Sequence, residues 1–128
     1  MKQTNTLIIT SLLSILFFIF HLTDDIVRGI EPGTLSNFPG VLIGVVWLYA
    51  TLELAERRSG YVILILASLL GSGIPVIHMK GRGIGEIARS SGGFFFVWTL
   101  LALGVTAIFS LLLSARGLWN LRRGKPGS

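Results

Sequence analysis

Four apolar runs divide the chain, over about residues 7–22, 41–54, 61–77 and 94–113, and segments bearing glycine, proline or charge separate them. Continuous apolar runs without alternation read as helices that are hydrophobic all round, the pattern of membrane spans. The first run ends in Phe17, Phe18, Ile19, Phe20 and His21 with no small-x-small cleavage pattern behind it, so it is expected to stay on the protein as a helix. Thr10, Ser11 and Ser14 in its first half are expected to line a helix contact or to bond back to their own backbone. In the second run, Gly40 and Gly44 form a small-xxx-small pair suited to close packing inside a bundle. Glu53, Glu56, Arg57 and Arg58 close that run, with Glu53 and Arg57 spaced for an i,i+4 ion pair, and Ser59-Gly60 predicts a tight turn to an antiparallel neighbour.

The third run ends in LLGSGIPVIHMKG, where Gly71, Gly73 and Pro75 weaken the helix. A bend close to the helix end is the expectation there. A discontinuous helix opening a pathway for an ion or small solute is the sharper alternative. The fourth run opens with Phe94, Phe95, Phe96 and Trp98, an aromatic girdle, and residues 114–128 read as an interfacial tail that becomes disordered from Gly124.

Composition sharpens the class. Of 128 residues, 52% are hydrophobic and 13% charged, against roughly a quarter charged in soluble domains. The predicted fold is all-α, one domain over residues 1–128, an up-and-down bundle of four transmembrane helices in the cell membrane. The absence of cysteine excludes disulfides, thiolate metal sites, Fe–S clusters and thiol catalysis.

A net charge of +5 raises nucleic acid as a partner, but the basic residues lie in short segments between runs and at the C-terminus, with no basic stripe on a polar face. No nucleic acid is expected. Lys2, Arg57, Arg58, Arg116, Arg122, Arg123 and Lys125 fall on the side of the termini, whereas Arg28, Lys80, Arg82 and Arg89 fall on the other. That excess predicts cytoplasmic termini. Lys80, Arg82, Arg89, Arg122 and Arg123 are candidates for contact with anionic lipid headgroups. Gly81, Gly83 and Gly85 lack the GxGxxG spacing and a preceding strand, so they carry no nucleotide signal.

The chemistry concentrates in FFIFHLTDDIVR, residues 17–28. His21 and Asp25 are one helical turn apart and share a face, with Asp24 beside them. In a four-span topology the ends of the first and third helices lie at the same, non-cytoplasmic face, which brings His78 to their level. His21, Asp24, Asp25 and His78 together suit a divalent transition metal such as zinc, manganese or iron, and equally a proton relay. A bis-histidine haem fits poorly, since both histidines sit at helix ends. The plain alternative is an Asp24–Arg28 pair, with Asp25 reaching Lys80 or Arg82.

The function expected is a non-enzymatic accessory subunit or homo-oligomer, with lipids and membrane subunits, or further copies of itself, as partners. A small transporter or channel, and an enzyme using His21, Asp25 and His78 as acid and base on a lipid or quinone, are the competing classes.

Overall fold

The computed structural model describes residues 3–80 and 84–124, and every regular element among them is helical. Helix α1 spans Gln3–Val27, α2 Phe38–Glu53, α3 Arg58–Lys80, α4 Ile84–Arg89 and α5 Gly93–Arg122. Helices α1, α3 and α5, and α2 together with the 3-10 turn Leu35–Asn37 that leads into it, are long and apolar enough to cross a membrane. Helix α5 packs most closely, against both α3 and α1, which touch one another only lightly, and α2 leans against α3 and α1.

Helix α5 runs opposite to α1 and α3, and α2 opposite to α1, as their contacts show. Gln3 Nε2, at the start of α1, donates to the Leu113 carbonyl near the end of α5 at 3.2 Å, and Phe17 and Phe20 meet Trp98 and Phe95 toward the other end. Gly117 packs on Tyr61 and Gly104 on Pro75, which sets α3 antiparallel to α5. Gly44 against Phe18 and Gly40 against Leu22 do the same for α2 and α1. The small-xxx-small pair therefore serves packing within the bundle.

One polar device sits in the α1–α2 contact. Trp47 Nε1 donates to Ser11 Oγ at 2.9 Å, Thr51 Oγ1 donates to the Trp47 carbonyl at 2.8 Å, and Ser11 Oγ lies 2.7 Å from Thr51 Oγ1. With those two protons placed, the Ser11 hydroxyl donates to Thr51 and the three bonds close on themselves. All three side chains are buried, where such polar groups require partners. Thr10 and Ser14 bond back to the Thr6 and Thr10 carbonyls.

Several boundaries differ from those read in the sequence. Helix α3 does not break: it continues through Pro75 to Lys80, and His78 lies within it. Gly71 lies against Trp47 and Ala107, and Pro75 is buried against Gly104, so two of the three residues expected to open the helix pack on neighbouring helices. Gly73 alone of these three faces open space.

The turn between α2 and α3 falls at residues 54–57, with Glu56 in the left-handed conformation at φ 69°, and Ser59 and Gly60 already belong to α3. Gly60 is required there because a Cβ would collide with the Leu54 carbonyl. Since α2 ends at Glu53, helical i,i+4 spacing does not apply across the turn, and among the described residues no ion pair joins Glu53 to Arg57. Glu56 instead accepts from Thr4 Oγ1 at 2.8 Å.

At the C-terminus, α5 runs unbroken to Arg122 with Ser114 and Gly117 buried. The expected interfacial tail is, that far, the last part of the long helix, held by the Gly117–Tyr61 contact. The polar loop after α3 contains the short helix α4, whose Glu86 and Arg89 sit at the ends favoured by its dipole.

A candidate metal centre of His21, Asp25 and His78

The end of α1 is built to hold Asp25 still. Gly29, at φ 73°, takes the left-handed conformation that terminates the helix. The Ile30 amide then donates to the Asp25 carbonyl at 2.9 Å and the Gly29 amide to the Ile26 carbonyl at 3.0 Å, the two bonds of a Schellman cap. His21 lies one turn earlier on the same face, so both side chains point into the bundle.

Helix α3 supplies the third group. Three nitrogen and oxygen atoms, one each from His21, Asp25 and His78, lie within 4.8 Å of one another. Asp25 Oδ2 is 3.6 Å from His21 Nε2 and 3.5 Å from His78 Nε2. Donors of a tetrahedral site with bonds of about 2.0–2.2 Å sit roughly 3.3–3.6 Å apart. Two edges of the group already have that length, and the group has the His and Asp donor set that zinc and iron accept.

Hydrogen bonding leaves these atoms free for a cation. His78 Nδ1 lies 3.0 Å from the Ile74 carbonyl. A carbonyl only accepts, so Nδ1 is the donor of that bond, and Nε2 is the ring nitrogen turned to Asp25 Oδ2. Both ring nitrogens of His21 and Oδ1 of Asp25 are buried without a hydrogen-bond partner. Metal-ligating atoms from three residues thus face one small space with few partners of their own, and a shared cation would offset the cost of their desolvation.

Aromatic and cationic groups wall the space on one side. Phe96 of α5 is buried with its ring 5.0 Å from the His21 ring and 6.1 Å from that of His78, and the two imidazoles meet edge-on at 4.8 Å. The Arg28 guanidinium lies 5.7 Å from the Phe96 ring centre. It is held there by Asp24 Oδ2 at 2.7 Å, Ser90 Oγ at 2.9 Å and the Ser91 carbonyl at 3.3 Å. Arg28 thereby ties the α4–α5 loop to the end of α1.

Of the four residues expected to converge, three do. Asp24 is turned to Arg28, the ordinary i,i+4 pair also expected for it. Asp25 makes no ion pair with Lys80, and Arg82 lies outside the described residues. Lys80, Arg89, Arg122 and Arg123 are exposed, and Arg123 stacks over Trp119 at 4.5 Å.

Phe96 and the Ile74 carbonyl were not recognised as parts of the site. A signal for Phe96 existed: with Thr99, Leu100 and Leu103 it marks the buried face of α5 at i, i+3, i+4 and i+7, whereas the exposed Phe94, Phe95 and Trp98 form the outer girdle. Compared with protein-family models, with curated proteins and with solved structures, the chain finds no match in any of the three.

Proposed function

We propose that this chain is a multi-pass membrane protein with both termini in the cytoplasm, and that it binds one divalent transition metal ion between His21, Asp25 and His78 near the opposite membrane face. The observation that carries the metal reading is the convergence of three donors, two of them on the buried His21 and Asp25, with His21 lacking any other partner. Two imidazoles and one carboxylate suit zinc or iron in the borderline range of hardness. The backbone of Asp25 is held by its cap, and the His78 ring by the Ile74 carbonyl.

Membrane insertion is supported by the four long apolar helices and by wide bands of exposed Leu, Ile, Val and Phe around them. These bands suit lipid and the flanks of other membrane subunits, the setting of a small accessory protein. Orientation rests on the charge excess: Arg57, Arg58, Arg116, Arg122 and Arg123 lie at the end where Gly117 meets Tyr61, while Arg28, Lys80 and Arg89 lie at the other.

The cysteine-free sequence makes orientation simple to measure. In intact cells a membrane-impermeant maleimide is expected to label a Ser36→Cys variant, while a Ser59→Cys variant reacts only after permeabilisation. The reverse pattern overturns the proposed orientation.

The metal reading is tested by elemental analysis of the detergent-purified protein after exposure to zinc, iron or manganese, beside an Asp25→Asn variant. About one metal per chain is expected in the wild type and far less in the variant, which keeps the side-chain shape but loses the anionic ligand. A wild type that takes up no metal ends the proposal.

A further inference from the structure

We infer that the metal centre keeps one coordination position open, on the side of His78, and takes a small anion there. The inference rests on the metal reading above and adds the chemistry of a fourth ligand.

The donor group contains three residues. The nearby carboxylates are engaged elsewhere, Asp24 with Arg28 at 2.7 Å and Glu31 with the Asn37 amide at 2.9 Å. Two donor separations already match a tetrahedron, so an ion in tetrahedral coordination here would take three ligands from the protein and have one position to spare. Centres with three protein ligands and one exchangeable position are the open kind, in contrast to the closed four-ligand structural sites.

Burial says where that position faces. The side chains of His21 and Asp25 are 3% and 7% exposed, but that of His78 is 28% exposed. Phe96 covers one flank of both imidazoles. The approach left to an external ligand is on the more exposed His78 side.

Charge says what kind of ligand is favoured. A divalent ion held by two neutral imidazoles and one carboxylate retains one positive charge. The nearest guanidinium, Arg28, is already offset by Asp24. An uncompensated positive charge in a poorly solvated setting favours a monoanion over a neutral ligand or a dianion.

Cobalt(II) substitution with azide as the probe tests this in the full chain. The protein is stripped with a chelator, loaded with cobalt and followed by visible absorption, then titrated with sodium azide. Loading is expected to produce ligand-field bands that are absent from Asp25→Asn. Azide is expected to shift and intensify them to a saturating endpoint of one anion per chain. Bands that form yet stay unchanged through the azide titration overturn the open position while leaving the metal site intact. Failure to form the bands, with no cobalt retained, overturns both the site and its fourth ligand.

Discussion

Replacing His21 with leucine is expected to make the metal-free protein more stable and the metal-treated protein less stable than the wild type. His21 is buried beside Phe96 with neither ring nitrogen hydrogen-bonded. A buried polar group left without a partner costs about 1–3 kcal/mol, and leucine is of comparable volume, so the swap removes that cost with little cavity or overpacking. With metal present the order reverses. Ligand at a thousandfold excess over its dissociation constant adds about 4 kcal/mol to the folded state, an increment that the variant, with one donor gone, forfeits almost entirely. Thermal unfolding in detergent, with a chelator and then with zinc, reads both halves. A variant that is less stable in chelator as well shows that the imidazole holds the apo bundle together, and one that keeps the full zinc shift shows that His21 is not a ligand.

The second large effect is expected at Gly104. A Cβ built there falls 2.8 Å from Pro75 Cγ, and the rigid pyrrolidine ring, buried in the α3–α5 contact, has no rotamer by which to retreat. Gly104→Val therefore forces the helices apart. Overpacking of this kind costs about 1–3 kcal/mol and at times more, a large fraction of the roughly 5–15 kcal/mol that holds a domain folded. Because Pro75 lies one turn before His78, the displacement also carries that imidazole away from Asp25, so metal content is expected to fall with the unfolding temperature. Gly73→Ala is the internal control: nothing lies within 4 Å of its Cβ, and alanine is favoured over glycine in a helix by about 1 kcal/mol. Unfolding of Gly104→Val at the wild-type temperature, with metal retained, removes this account of the α3–α5 contact.

Comparison with the sequence shows which physics was local. The four helices were legible because apolar runs of this length announce themselves by composition alone, and the shared face of His21 and Asp25 followed from helical spacing. The place of His78 required knowing that α1 and α3 are neighbours, which the four-span topology suggested and the tertiary contacts supply. What escaped was decided between elements. Pro75 reads as a helix breaker until Gly104 is seen to leave room for its ring. Ser59-Gly60 reads as a turn, whereas Glu56 adopts the left-handed conformation instead. The C-terminal stretch reads as a surface tail until Gly117 is found seated on Tyr61. At Pro75 and Gly117 the residue answers to a partner far away in the chain, and residue type alone cannot distinguish that use from a bend or a stop.

The ring of hydrogen bonds among Trp47, Ser11 and Thr51 has a consequence for how α2 keeps its height. Apolar grooves of about 380 and 440 Å³ flank this helix on either side, and contacts between aliphatic chains in such a setting tolerate sliding. Hydrogen bonds do not, because a slip of one turn, about 5.4 Å along the axis, breaks both bonds that Ser11 makes across the contact and strands its hydroxyl and the Trp47 indole, while the Thr51 bond to the Trp47 carbonyl travels with α2. The ring thus acts as a detent: it makes one vertical register of α2 far deeper than its neighbours, while the side-to-side packing of the same helix is left free to accommodate whatever lies beside it.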